Sequence, residues 1–313
     1  MFVVLALAGL WFLLPAASVQ GAEKPIAKAD AAKKELDLRP VELGGNDLVT
    51  DDGVLLAATF YPSPKGREAI PVILLHSYKG NRKEFSALAG YLQQQGHAVL
   101  VPDLRGHGDS TGTRAGVKLD AARMPTQQFE QMYYEDIKAL RRFLVAKNDA
   151  DELNLSKLCL IGADMGATVA LRAAWLDWTP VPGRPTLMDV KALVLLSPPA
   201  SFRGLDVRTP LANPAVRSQL SVLILVGKLR KRDLDDAERL YNMFKPYHPD
   251  PPKEELAEKQ DLFFLKLDTE LQGAKMLGKP GLRPDPKVMI AQFIELRLVK
   301  QDREGYGHRK RRD

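Results

Sequence analysis

The stretch that most constrains the fold of this chain is Leu158-Cys159-Leu160-Ile161-Gly162-Ala163-Asp164-Met165-Gly166-Ala167. Leu158 to Ile161 is a short apolar run of the kind a buried strand requires. Gly162 to Gly166 is a tight turn of small residues, and Ala167 to Trp178 has helix-forming composition. Strand, sharp turn and helix in so few residues leave no room for a side chain at either glycine. The residue at the tip, Asp164, is then held out over a surface at the positive end of the following helix.

Other apolar runs give the elbow its context. Ile70–Leu75, His97–Val101, Val190–Leu196, Ser221–Val226 and Leu262–Leu267 read as strands, most of them apolar enough for burial on both faces. Val41–Thr50 and Gly53–Phe60 read as two earlier strands. Helical spacing appears in Glu84–Gln95, Phe129–Lys147, Leu234–Phe244 and Pro286–Lys300, whose Ile290, Phe293, Ile294 and Leu298 share one face. Gly96 is expected to stop the first of these. Thr111–Thr126 reads as a surface excursion and Pro246–Lys259 as a proline-rich charged loop. Strands alternating with helices imply a doubly wound, mostly parallel sheet flanked by helices. Ligands in such sheets bind beyond the carboxyl ends of the strands.

The ends of the chain carry separate expectations. Residues 1–22 lack charge and Phe2–Leu14 is nearly all apolar, which reads as a signal peptide; an uncleaved membrane anchor is the alternative. Residues 23–39 read as a linker, 40–300 as the folded domain and 301–313 as a basic disordered tail. The expected location is secreted or periplasmic. Cys159 is the single cysteine, so no internal disulfide forms, and its strand position makes it a core residue. Asn154-Leu155-Ser156 is a glycosylation sequon with meaning only in a eukaryotic host. The net charge of +6 is modest, and no nucleic-acid motif is present. No metal-ligand spacing is visible and no cofactor is expected.

Three motifs sit at strand ends: Leu74-Leu75-His76-Ser77-Tyr78, Asp103-Leu104-Arg105-Gly106-His107-Gly108-Asp109-Ser110, and Gly162-x-Asp164-x-Gly166. In this order the chain resembles the α/β-hydrolase superfamily, nearest to small serine esterases and peptidases of the serine-aminopeptidase and dienelactone-hydrolase kind, over about residues 40–300. The resemblance implies an α/β-hydrolase fold, and residues 197–220 are too few for a large cap domain. It places an oxyanion hole at the backbone N–H groups of Met165 and of Ser77 or Tyr78. It also implies a triad, but the nucleophile position holds Asp164 in place of serine. The acid position, three residues after Gly227, holds Arg230, and the position matching the histidine base holds Gln272.

A serine mechanism needs a hydroxyl activated by an imidazole, and Asp164 has no hydroxyl. A carboxylate can be the nucleophile, as the resemblance to haloalkane dehalogenases and epoxide hydrolases implies, but hydrolysis of the resulting ester needs a base. The chain has five histidines. His76 and His107 fall in the structural loops, His97 begins a strand, His308 lies in the tail, and only His248 is a recruit. Two functions follow. One is a non-catalytic hydrolase homologue that binds a small molecule or an envelope component. The other is an active hydrolase on esters, amides, epoxides or halides with Asp164 as nucleophile. A polar network of Asp164, Gln272 and Arg230 is expected in place of the triad, with Asp233 as a displaced acid. Asp164 occupying the oxyanion hole itself is the further expectation.

Overall fold

The computed structural model describes residues 37–182 and 186–311. The signal-peptide segment and most of the linker lie outside the described residues. Among the described residues, no helix is long and apolar enough to cross a membrane.

An eight-stranded sheet organises the domain. Its strands are β1 (Val41–Leu43), β2 (Ala58–Tyr61), β3 (Pro71–Leu75), β4 (Ala98–Pro102), β5 (Leu158–Ala163), β6 (Val190–Leu196), β7 (Ser221–Gly227) and β8 (Leu262–Leu267). The order across the sheet is β1-β2-β4-β3-β5-β6-β7-β8. β1 with β2 and β2 with β4 are antiparallel, and the remaining neighbours are parallel. β5 lies between β3 and β6, with Gly162 opposite Leu75 and Ala163 opposite Leu196. The elbow therefore leaves the middle of the sheet.

Helices cover both faces, which is why the central strands are buried at every residue. Leu88 and Leu92 of α1 (Ser86–Gln94) and Ile290 and Ile294 of α5 (Pro286–Ile294) pack with Val72, Leu74, Cys159 and Ile161 on one face. Leu140 and Leu144 of α2 (Ile137–Asp149), Val169 of α3 (Met165–Asp177) and Leu240 of α4 (Lys231–Phe244) pack with Ile73, Leu75 and Leu160 on the other. The alternation of Leu160 and Ile161 between two cores is the period-2 geometry of a strand made visible. Burial pushes the Cys159 thiol well up from its usual range, so it is inert.

Several expected boundaries shift. The run Val41–Thr50 stays extended only through Leu43, because the chain turns at Gly44-Gly45, and Leu48 is buried in the core. The run Gly53–Phe60 divides: Val54–Leu55 pairs with Gly112–Thr113 in a two-stranded ribbon, and only Ala58–Tyr61 joins the large sheet. The long helix starts at Thr126 and widens into a π turn over Met132–Asp136, where buried Asp136 meets Arg105. The proline-rich loop contains a short helix at Leu256–Lys259. Residues 197–220 form a hairpin (Ser201–Phe202 with Leu205–Asp206) and two short helices, with no cap domain.

The expected disordered tail is the largest correction. Residues 301–311 lie against the segments that lead into β5 and β6. Tyr306 is buried, its carbonyl accepts from Asn154 Nδ2 at 2.8 Å, and Lys157 Nζ and Lys191 Nζ stand 5.4 and 5.5 Å from its ring. Arg311 pairs with the fully buried Asp189, which Arg141 also holds at 2.6 Å. The tail is ordered because the body supplies buried carboxylates and carbonyls for its cations. The same contacts bury Asn154 of the sequon, leaving it 5% exposed.

Candidate functional site

The elbow is built by close backbone approach. A Cβ on Gly162 would stand 2.1 Å from the Gly166 carbonyl oxygen, and one on Gly166 would stand 2.1 Å from the Leu75 carbonyl oxygen. Both contacts are with backbone, which cannot swing aside. Asp164 at the tip has φ 51° and ψ −116° and precedes α3 directly. A non-glycine residue in this left-handed region is strained, and such strain concentrates where a side chain must be aimed. The Asp164 N–H donates to the Leu196 carbonyl at 3.0 Å, which ties the tip to the end of β6.

The Asp164 carboxyl turns toward the loop after β3. Its Oδ2 accepts from the Tyr78 N–H at 3.3 Å. Burial raises its pKa above the usual carboxylate range, opposed by the N–H groups of Met165 and Tyr78. The two backbone donors expected to bind an oxyanion thus face the carboxyl of Asp164. Ser77, the other expected donor, gives its N–H to Glu84 Oε2 at 3.1 Å instead. Glu84 gave no signal in the sequence beyond opening a helix. It fits because Gly80 has no side chain: a Cβ there would lie 1.9 Å from Glu84 Oε1.

The expected Asp164–Gln272–Arg230 network is not formed. Gln272 Oε1 accepts from Ser197 Oγ at 2.6 Å and from the Gly227 N–H at 3.2 Å, while Nε2 donates to the Gly227 carbonyl at 2.9 Å. Both ends of the amide are therefore occupied at the ends of β6 and β7. Arg230 is 58% exposed and its Nε stands 3.0 Å from Asp233, three residues on, so the guanidinium has a nearer carboxylate than Asp164. Arg230 and Asp233 act on Asp164 only through space, in opposite directions. Asp233 is accordingly an arginine partner rather than a displaced acid.

Ser197 is the residue that sequence reading left without a role. It follows β6 with φ 49°, is 5% exposed, and its Oγ also accepts from the Gly273 N–H at 2.9 Å. Its one sequence signal was a serine before two prolines at a strand end.

Among the described residues, no histidine hydrogen-bonds Asp164. His76 Nε2 accepts from the Leu104 N–H at 3.0 Å, so Nδ1 carries the proton and donates to the Ser77 carbonyl at 2.8 Å. Burial pushes its pKa down to about 3, with His107 nearby as a second cause. His107 Nδ1 donates to the Arg105 carbonyl at 3.0 Å and its Nε2 has no protein partner. Arg105, in the same turn, is fully buried between Asp136 and Asp52 at 2.8 and 2.6 Å. His97 precedes β4, and His248 lines a cavity with Leu262, the first residue of β8. Both lie at the strand ends opposite the elbow. His308 bonds the Asn148 carbonyl at 3.0 Å. Four surface cavities of about 400 to 680 Å³ are lined by residues other than Asp164, Arg230 and Gln272. Among the described residues, no group of three metal-ligating side chains converges.

The hairpin of Ser201–Phe202 with Leu205–Asp206 lies beside Tyr78. Phe202 and Phe129 lie 5.2 and 6.2 Å from the Tyr78 ring, and Arg203 Nη2 donates to the Tyr78 hydroxyl at 2.9 Å.

Comparison with known proteins agrees with this geometry. Residues 70–219 match the family model for the alpha/beta hydrolase fold. No curated protein matches the chain by sequence. Among solved structures, an esterase of Pyrococcus furiosus superposes with a TM-score of 0.59 at 16% identity, covering 87% of this chain and 96% of that one. A second crystal form of that esterase gives 0.56 at 17% identity, covering 82% of this chain and 92% of that one. A dienelactone hydrolase of Anabaena variabilis gives 0.48 at 16% identity, over 84% of this chain and 99% of that one. With its strand order, its strained elbow and the region from β3 to the segment before β7 that matches the family model, the chain has the α/β-hydrolase fold.

Proposed function

We propose that this is an exported, non-catalytic α/β-hydrolase homologue that uses the mouth around Asp164 to bind a ligand or partner. One observation carries the reading: the carboxyl of Asp164 faces the N–H groups that would stabilise an oxyanion, while no imidazole bonds it. A hydrolase needs that hole open for the charge that develops on the substrate oxygen. It also needs a base for the water that completes turnover. Gln272, held by Ser197 and Gly227, has no basic nitrogen, and the Arg230 guanidinium is paired with Asp233. The uncharged, apolar segment 1–22 supports export, with an uncleaved anchor as the variant of that proposal.

The second reading, a hydrolase with Asp164 as nucleophile, is favoured by the elbow itself, since φ 51° at the tip is the geometry that presents a reacting side chain. The test is hydrolysis of 4-nitrophenyl esters, an epoxide and a haloalkane by the purified protein and by Asp164→Ala. Equal residual rates support the non-catalytic reading. A rate that disappears in Asp164→Ala makes the aspartate a nucleophile and overturns it.

A further inference from the structure

Beside the elbow, two cations converge on one aromatic ring without a carboxylate to explain them. Lys79 Nζ stands 5.6 Å from the centroid of Tyr78, and the Arg203 guanidinium carbon stands 5.3 Å from the same centroid. Among the described residues neither forms an ion pair, whereas the neighbouring Arg230, Lys228 and Lys231 all do. Arg203 gives one N–H to the Tyr78 hydroxyl and lies over Phe129 at 5.5 Å, so it is anchored although the residue is exposed. A guanidinium carries five donors in a planar fork, which suits a carboxylate or a phosphate.

The backbone at this place is unusual as well. Among the described residues, six non-glycine residues have positive φ, and they include Lys79 at 60°, Asp164 at 51°, Ser197 at 49° and Arg203 at 47°. Lys79 follows the residue that meets Asp164, and Arg203 sits at the turn of the hairpin Ser201–Asp206. Each such conformation is one that residues with a Cβ seldom adopt. Two like charges brought to one ring by two strained turns form a preformed seat for negative charge. Phe202, half-buried against Tyr78, extends the seat with an apolar wall.

We infer that Lys79 and Arg203 form an anion clamp over Tyr78, taking the carboxylate or phosphate of a small organic anion whose aryl or acyl body rests on Tyr78 and Phe202. The inference rests on the ligand-binding reading above and names its ligand class. It also accounts for a mouth whose oxyanion donors are already faced by Asp164. Recognition of a negative group passes from backbone N–H groups to two side chains on the rim.

The test is calorimetric titration at low ionic strength with benzoate, phenyl phosphate and uncharged benzyl alcohol. It is done on the full protein and in the Asp164→Ala background, so that any turnover is removed and failure of the non-catalytic reading leaves the binding result intact. Saturable binding of at least one anion, with benzyl alcohol at least tenfold weaker, is expected. Lys79→Gln and Arg203→Gln should each weaken it roughly three- to fivefold, as for exposed charge pairs, and the double variant should abolish it. Arg203→Lys keeps the charge without the planar fork and should restore only part of the loss, and unchanged melting temperatures establish that the variants fold. Preference for one anion over the other distinguishes carboxylate from phosphate as the natural head group. The inference is overturned by no saturable binding of either anion below about 10 mM. Binding of benzyl alcohol as tight as the anions, or unchanged binding in the double variant, overturns it equally.

Discussion

Gln272 is the residue on which the structural and catalytic readings of the site differ most in what they expect from a mutation. In an active enzyme, a side chain at the base position would matter to rate. Here its amide joins β6 to β7: it accepts from Ser197 Oγ at 2.6 Å and from the Gly227 N–H at 3.2 Å, and donates to the Gly227 carbonyl at 2.9 Å. The fit is close, since a Cβ on Gly227 would come within 2.8 Å of Gln272 Nε2. Gln272→Ala removes these three bonds, with a longer one from Nε2 to the Glu270 carbonyl at 3.4 Å, and leaves a buried Ser197 hydroxyl and both polar groups of Gly227 short of a partner. At about 0.5–1.5 kcal/mol net for each bond, the expected loss is about 2–3 kcal/mol. For a domain of this size that lowers the melting temperature by roughly 4–10 °C. Urea unfolding followed by circular dichroism measures the free energy, with an unchanged slope showing that the native state stays compact. Residual ester hydrolysis should not change. A variant as stable as the parent within about 0.5 kcal/mol would refute the bonding scheme. A variant that folds normally but loses a measurable rate would refute the structural role.

Four further predictions follow from neighbouring groups. Burial raises the pKa of Asp164, so the folded state holds its proton to higher pH than the unfolded chain, and stability falls as pH rises through that raised value. Asp164→Asn should therefore be more stable than the parent at pH 8, with the advantage vanishing near pH 3, as read by melting scans at each pH. His76 and His97 are held neutral by burial, with pKa values of about 3 and about 4. Because the unfolded chain takes up these protons near pH 6.5, stability should fall by roughly 1.4 kcal/mol per pH unit for each group as pH drops from there toward those values, and titrated unfolding curves check this. Removing residues 304–313 deletes Tyr306 and the Arg311 partner of buried Asp189; the loss should be about 3 kcal/mol, visible as a lower urea midpoint. Gly166→Ala sets a methyl group 2.1 Å from the Leu75 carbonyl oxygen and should leave little soluble folded protein, measured as yield and circular dichroism.

The features legible in the sequence were those set by local chemistry. Val190–Leu196 is a strand at those bounds, and Leu262–Leu267 likewise, because short apolar runs interrupted by a single lysine and bounded by turns have few other folds open to them. The elbow was legible from its two glycines, whose necessity the structure expresses as backbone contact. What escaped was decided by partners distant in the chain. Gln272 could be placed in the right loop, but its bonds to Ser197, 75 positions away, depend on how β6 and β7 end side by side. Arg230 was expected to reach Asp164, and a carboxylate three residues away on its own helix took it instead. The basic tail read as solvated because its charges look exposed in one dimension. Asp189, buried at the start of β6, gives Arg311 a reason to order that no local pattern carries. Ser77 and Tyr78 were equal candidates for the oxyanion hole until Glu84 claimed the first.

The most direct test of the central claim is isotope incorporation at Asp164. The protein is incubated in H2-18O with the epoxide and the haloalkane in turn, substrates whose alkyl carbon an aspartate would take up as an ester, then digested, and the peptide carrying Asp164 is weighed by mass spectrometry. An aspartate that forms and hydrolyses an ester takes one water oxygen into its carboxylate at each cycle. The non-catalytic account predicts that the peptide keeps its unlabelled mass with every substrate, at the level of a substrate-free control. A mass increase of about two units per incorporated oxygen, dependent on substrate and located at Asp164, would contradict it.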